Sequence, residues 1–152
     1  MEYHFRTFEN ILPLDRLFVE PSLSLKKQPG GPRGVTTFAV QATLGTFQAL
    51  TRLDRLGLYV PPLNDDVRGG KRFIFHAAAL AEALTEALRP VLPDRLKKTF
   101  VHVNPVFRCS RFEPDDAPFE AHHDTPYCDP ARGHLSTHTP VSYTHLTLPT
   151  SG

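Results

Sequence analysis

Fifteen prolines, spread from Pro13 to Pro149, set the first limit on what this chain of 152 residues can become. Proline has no backbone N–H and its ring clashes with the preceding turn of a helix, so it is confined to first turns, strand ends and loops. The ordinary share is about 5%, and a chain with roughly twice that does not build an all-helical bundle. It is broken instead into short strands, turns and an occasional helix. One stretch escapes. From Ala77 to Arg89, Leu80, Leu84 and Leu88 recur every four residues, with Ala77, Ala81 and Ala87 around them. This spacing predicts a helix with a single apolar stripe on strong helix formers, ended by Pro90.

Elsewhere the pattern is shorter. Residues 1–26 are mixed, with Ile11, Leu12, Leu14, Leu17, Phe18 and Val19 as core candidates between Pro13 and Pro21. Gln28 to Gly34 reads as a loop and Val35 to Val40 as a strand. Leu44 to Leu56 is ambiguous, because Phe47, Leu50, Leu53 and Leu56 sit at helical spacing while Gly45 and Gly57 stand near its ends. Leu58 to Val60 reads as a short strand and Asn64 to Gly70 as a turn or loop. Beyond the helix, Phe100 to Val103, Val106 to Phe112 and Phe119 to Thr125 read as strands. A Pro/Gly loop from Tyr127 to Gly133 precedes a further strand beginning at Leu135. Mixed elements, one helix and then short strands predict an α+β fold ending in a β-sandwich or barrel.

Charge narrows the partners. Seventeen basic and 16 acidic residues leave a net charge of +1, which gives no footprint for nucleic acid or an anionic membrane. No apolar run approaches the roughly 20 residues of a spanning helix. Met1 to Arg6 lacks the charged-then-apolar layout of a signal peptide. Cys109 and Cys128 are too few for a disulfide framework, so a cytoplasmic setting is expected.

Five of the eight histidines lie between His122 and His145. Within Ala121-His122-His123-Asp124-Thr125, alternation along a strand puts His122 and Asp124 on one face and His123 on the other. One imidazole and one carboxylate on a shared face are two thirds of the triad of two histidines and a carboxylate that holds Fe(II) with open positions. A His-x-Asp triplet alone is unspecific, since a solvated strand edge explains most of them. His134 and His138 follow Asp124 too closely to come from an opposite strand and read as loop or strand-face residues. His102 reads as structural, Cys109 as a buried strand cysteine and Cys128 as an exposed loop cysteine. Gly30-Gly31 and Gly69-Gly70 lack the lysine and helix of a phosphate loop.

The run from Asn104 through Arg108, Phe112, Glu113-Pro114 and Phe119 to His122 and Asp124 resembles the prolyl 4-hydroxylase branch of the Fe(II)/2-oxoglutarate dioxygenases. Asn64 to Arg68, Phe73-Ile74-Phe75 and the Ala/Leu helix resemble the stretch before it. Asp129 to Ser136 and Thr139 resemble the approach to the next strand. The resemblance covers about residues 60 to 139. It implies a double-stranded β-helix, or jelly roll, with a flanking N-terminal helix. His122 and Asp124 would be ligands of Fe²⁺, and Thr139 would lie at the 2-oxoglutarate site. O₂ would be the oxidant, ascorbate the agent that restores the iron, and a protein, peptide or small molecule the substrate. The loop from Pro126 to His134 would lie beside the metal. Two departures stand out: Asp115 occupies the place of the family's turn glycine, and Phe112 the place of a tyrosine that often contacts the cosubstrate.

The string Val141 to Thr150 matches, residue for residue, one reading frame of a common transposase sequencing adaptor. On that reading native sequence ends near Thr139. The family's second metal-binding histidine and its basic cosubstrate anchor would then lie beyond this chain, and Tyr143 carries no weight. Three segments are thus expected: 1–58, poorly assigned; 59–139, the N-terminal part of a dioxygenase domain; and 140–152, a non-native tail. Two rivals remain open. One is a non-catalytic β-sandwich binding module in which His122 and Asp124 are incidental. The other is a zinc-dependent hydrolase, ranked lower because no His-Glu-x-x-His motif is present and the adjacent histidines face opposite ways.

Overall fold

The structure, a computed structural model, describes residues 11–62, 69–118 and 120–141. The expectations for Met1 to Arg6, Asn64 to Arg68, Phe119, Tyr143, His145 and the adaptor-like string past Val141 lie outside the described residues.

The fold is α+β, as the element order predicts, but its strands form three small sheets and do not close into a barrel among the described residues. The largest sheet has β4 (Lys71–His76) at its centre, with β1 (Ile11–Pro13) parallel on one side and β5 (Val106–Arg111) antiparallel on the other. β2 (Leu23–Gln28) and β3 (Thr37–Ala42) form an antiparallel hairpin. β6 (Cys128–Asp129) and β7 (His134–Leu135) form a second, very short one. Three α-helices are present among the described residues, α1 (Leu44–Arg55), α2 (Ala78–Leu88) and α3 (Asp94–Lys97), with a single 3-10 turn at Asp15–Leu17.

The ambiguous run after Leu44 is a helix because its ends are capped. Thr43 accepts a hydrogen bond from the Thr46 amide at 3.4 Å, and Gly57, at φ 68°, takes the left-handed position just past the last turn. Arg52 and Arg55 in that turn complement the helix dipole. Helix α1 buries Thr46, Ala49 and Leu53, and α2 buries Leu80, Ala81 and Ala87. The core gathers Phe18, Ala49 and Leu53 with Phe73, Phe75, Ala77 and Leu80, so it draws on both sides of residue 58. Phe75 stacks on Phe107 at 5.3 Å and faces Phe18 at 6.3 Å.

Helix α2 has no side-chain cap of its own. Asp15, in the turn after β1, accepts the Ala78 amide at 2.9 Å and the His76 Nδ1–H at 2.9 Å. A carboxylate from the start of the chain therefore closes the helix N-terminus.

Two expected strands are absent, and a third, Leu58 to Val60, is reduced to an isolated bridge between Val60 and Arg72. Phe100 to Val103 is irregular because its backbone is engaged by α2: the Val103 amide donates to Thr85 Oγ1 at 2.9 Å, and Arg89 donates to the Val101 carbonyl at 3.1 Å. The described part of Phe119 to Thr125 also has no strand pairing. Pro118 and Pro126 bracket it and remove amide donors. Strand β7 holds His134 and Leu135, and Ser136 to Thr139 is irregular.

Candidate functional site

The route to His122 begins on β5. Phe107 and Cys109 pack against the core, so alternation turns Arg108 and Ser110 to the other face of the sheet. After Arg111 the chain reverses. Glu113 and Asp116 close the turn through an amide-to-carbonyl bond of 3.1 Å and an amide-to-carboxylate bond of 2.6 Å, and Arg111 Nε donates to Glu113 at 2.8 Å. The reversal passes close over the entrance to β4. The Ala117 carbonyl occupies the place a Cβ at position 69 would take, and the Phe112 ring crowds position 70, where the backbone has φ 81°. Gly69-Gly70 thus has a steric role: it lets the turn lie on the sheet edge.

The returning segment brings His122 and Asp124 together without a strand. His122 Nε2 lies 3.3 Å from Asp124 Oδ1, and both side chains are about two-fifths exposed. His122 Nδ1 is 2.8 Å from the Glu120 carbonyl, which only accepts, so Nδ1 carries the proton and donates it there. Nε2 faces the carboxylate. That placement serves an ion pair, and it also serves two ligands of one cation.

Both arrangements meet the 3.3 Å distance. Two ligand atoms each about 2.1 Å from an ion lie ~3.0 Å apart at a right angle and ~3.4 Å apart at the tetrahedral angle. His122 Nε2 and Asp124 Oδ1 therefore have the spacing of neighbouring ligands, and the donor set of one imidazole and one carboxylate suits Fe(II). Among the described residues no group of three or more His, Cys, Asp or Glu gathers around a common point.

Thr139 joins this pair. The hairpin of β6 and β7 reverses the chain, with the Tyr127 amide donating to Ser136 Oγ at 2.7 Å and the Ser136 amide to the Tyr127 carbonyl at 2.8 Å. The chain then runs back past Asp124, and the Thr139 hydroxyl does most to hold the Asp124 carboxyl below the usual carboxylate range. The bond to His122, the attraction of its ring and the weaker pull of Arg108 act the same way, and partial burial opposes them.

The other chemistry-bearing residues lie elsewhere. His134, on β7, packs its ring 5.4 Å from that of His102, whose Nδ1 donates to the Val103 carbonyl. His138 pairs with the neighbouring Thr137 hydroxyl. Cys109 is half-buried beside the Tyr59 hydroxyl at 3.4 Å, and burial pushes its thiol up, which makes it inert rather than nucleophilic. Cys128 is half-buried in β6, not exposed in a loop, because its strand pairs with Leu135. Sequence reasoning missed Asp15, whose roles depend on contacts more than sixty residues away in the chain.

Comparison with protein-family models, with curated proteins and with solved structures finds no match for this chain. No helix among the described residues is long and apolar enough to cross a membrane.

Proposed function

We propose that this chain is part of an Fe(II)- and 2-oxoglutarate-dependent dioxygenase that hydroxylates an unactivated C–H bond of a prolyl or other peptidyl residue, or of a small molecule. One observation carries the proposal: His122 Nε2 stands 3.3 Å from Asp124 Oδ1 while its Nδ1 is committed to a backbone carbonyl. Bound iron would supply O₂ activation, coupled to conversion of 2-oxoglutarate to succinate and CO₂, with ascorbate returning spent iron to its working state. His122 and Asp124 would hold it. A third ligand and a basic anchor for 2-oxoglutarate would come from sequence past Thr139. The jelly roll belongs to the same proposal: β5 is an edge strand among the described residues, and later strands would complete the barrel. The hairpin from Pro126 to His134 would form one wall of the substrate site.

The test is succinate formation under Fe(II) titration, comparing this chain with a longer gene product that extends past Thr139. Little or no succinate from the chain and iron-dependent succinate from the longer product, lost in His122→Ala, is the expected result. An iron-independent or inert longer product would sink the proposal, and robust turnover by this chain alone would sink its description as an incomplete fragment.

A second reading rests on the exposure of the pair and the lack of a three-ligand group among the described residues. In it the protein is a non-catalytic β-rich binding module, and His122–Asp124 is a surface ion pair of the kind worth about 0–1 kcal/mol. Saturable metal binding that depends on both side chains separates the two readings.

A further inference from the structure

A cleft opens where the end of α1, the start of β4 and the turn after β5 meet. It encloses about 370 Å³ and is lined by Gly57, Tyr59, Lys71, Arg111, Glu113 and Asp116. Tyr59 forms a fixed apolar wall. Its ring packs edge-on against Phe73 at 5.1 Å, and its hydroxyl donates to Asp54 at 2.9 Å and sits 3.4 Å from Cys109 Sγ. Burial, with the Cys109 and Asp54 contacts, pushes the phenol above its ordinary value, so this wall carries no charge.

The remaining walls are charged, and unevenly compensated. Lys71 stands directly opposite Arg111 in the β4–β5 register, a relation in which like charges repel. Arg111 is compensated twice: its Nε donates to Glu113 at 2.8 Å, and its Nη1 lies 3.8 Å from Asp54. Lys71 has no acidic partner among the described residues. Asp116 accepts the Glu113 amide at 2.6 Å through Oδ2, and it has no cationic partner among the described residues. One cleft thus holds an ammonium and a carboxylate that are not paired with each other. A simple anion entering it would meet Glu113 and Asp116, and a simple cation would meet Lys71 and Arg111. A ligand with both charges satisfies both groups.

We infer that this cleft binds a free α-amino acid with an apolar side chain. Its carboxylate pairs with Lys71, its ammonium with Asp116, and its side chain lies on the Tyr59 ring. The volume is at the small end of the roughly 300–1,000 Å³ of ligand pockets, as suits a molecule of that size. The inference goes beyond the proposed iron site and uses none of its residues.

The experiment titrates the whole chain with L-phenylalanine and follows backbone amide shifts by NMR. Phenylpropionate, which lacks the ammonium, and phenylethylamine, which lacks the carboxylate, are titrated beside it. The expected result is saturable shifts at Gly57, Lys71 and Asp116, with each analogue roughly tenfold weaker than phenylalanine. Lys71→Met should weaken phenylalanine roughly tenfold and leave phenylethylamine no weaker, and Lys71→Arg should keep near-wild-type binding. Asp116→Asn keeps an acceptor for the Glu113 amide; it should weaken phenylalanine and leave phenylpropionate no weaker. Absence of saturable shifts in the cleft would overturn the site. Equal affinity for the three probes, or unchanged phenylalanine binding in Lys71→Met, would overturn the recognition of an amino acid by its two charges.

Discussion

Phe73 and Phe75 are 2% and 3% exposed, whereas the His122 and Asp124 side chains keep 44% and 43% of their surface in solvent. The contrast runs through the molecule. Every buried residue among those described lies between Phe18 and Val103, and none of the described residues from Asn104 to Val141 is buried. The sheet and helices are held by apolar burial, which is non-directional and cumulative. The segment with the candidate ligands is held by directional contacts such as the imidazole tied to the Glu120 carbonyl, the His122–Asp124 pair and a two-bond hairpin. Loss of a burial contact is therefore felt by the whole fold, and loss of a polar contact in the segment only nearby.

The largest expected effect tests the burial side. Phe75→Ala removes a ring that faces Phe18 and Phe107 at the centre of the core. It should lower stability by about 3–5 kcal/mol, read from the midpoint of urea unfolding. A loss below about 1 kcal/mol would mean that the aromatic stack is not what anchors the sheet to the helices, and the contrast would fail at its stronger end.

A middling effect is expected where the two kinds of force meet. Asp15 is a polar side chain, half-exposed, but it caps the helix that lines the core. Asp15→Ala should cost about 1 kcal/mol, and Asp15→Asn less, because the amide oxygen still accepts from Ala78. The Ala78 amide, followed by the His76 ring, holds the Asp15 carboxyl below its ordinary value. The sign follows from that. With the folded value depressed, the stabilising contribution is fully present above the unfolded carboxylate value of ~3.9 and is lost as pH falls through the depressed folded value. Wild type should therefore lose stability faster than Asp15→Asn as pH drops below about 4. Parallel curves for the two would remove Asp15 from the cap.

The same contrast decides what was legible in the residues. Helix α2 could be read because Leu80, Leu84 and Leu88 repeat at the helical period and Pro90 ends the run. The α+β class followed from the order of elements. Strand β4 was not read as one, although Phe73-Ile74-Phe75 forms the sheet's centre. A strand buried on both faces does not alternate between apolar and polar, so its period is lost. Phe100 to Val103 has strand composition, but the Thr85 and Arg89 side chains engage its backbone, a tertiary outcome no local pattern carries. At the site, spacing alone identified His122 and Asp124 as a pair, though for the wrong local reason. Their side chains meet across an irregular segment instead of along one face of a strand. The Thr139 contact was beyond reach, because it depends on how the β6–β7 hairpin returns the chain.

The smallest expected effect is the most discriminating. His122→Ala removes a partner of an exposed ion pair and one bond to the Glu120 carbonyl, with no apolar burial lost. Surface substitutions of this kind usually change stability by less than about 0.5 kcal/mol, so the urea midpoint should hardly move. Amide hydrogen exchange between Ala121 and Thr139 should nevertheless quicken, because local opening in a segment without buried side chains depends on those few polar contacts. A global loss above about 1 kcal/mol would show the segment to be coupled to the core, and the two regions would then unfold as one. Unchanged exchange would show that His122 does not hold the segment. The hairpin bonds between Tyr127 and Ser136 would then suffice to hold the segment without the histidine.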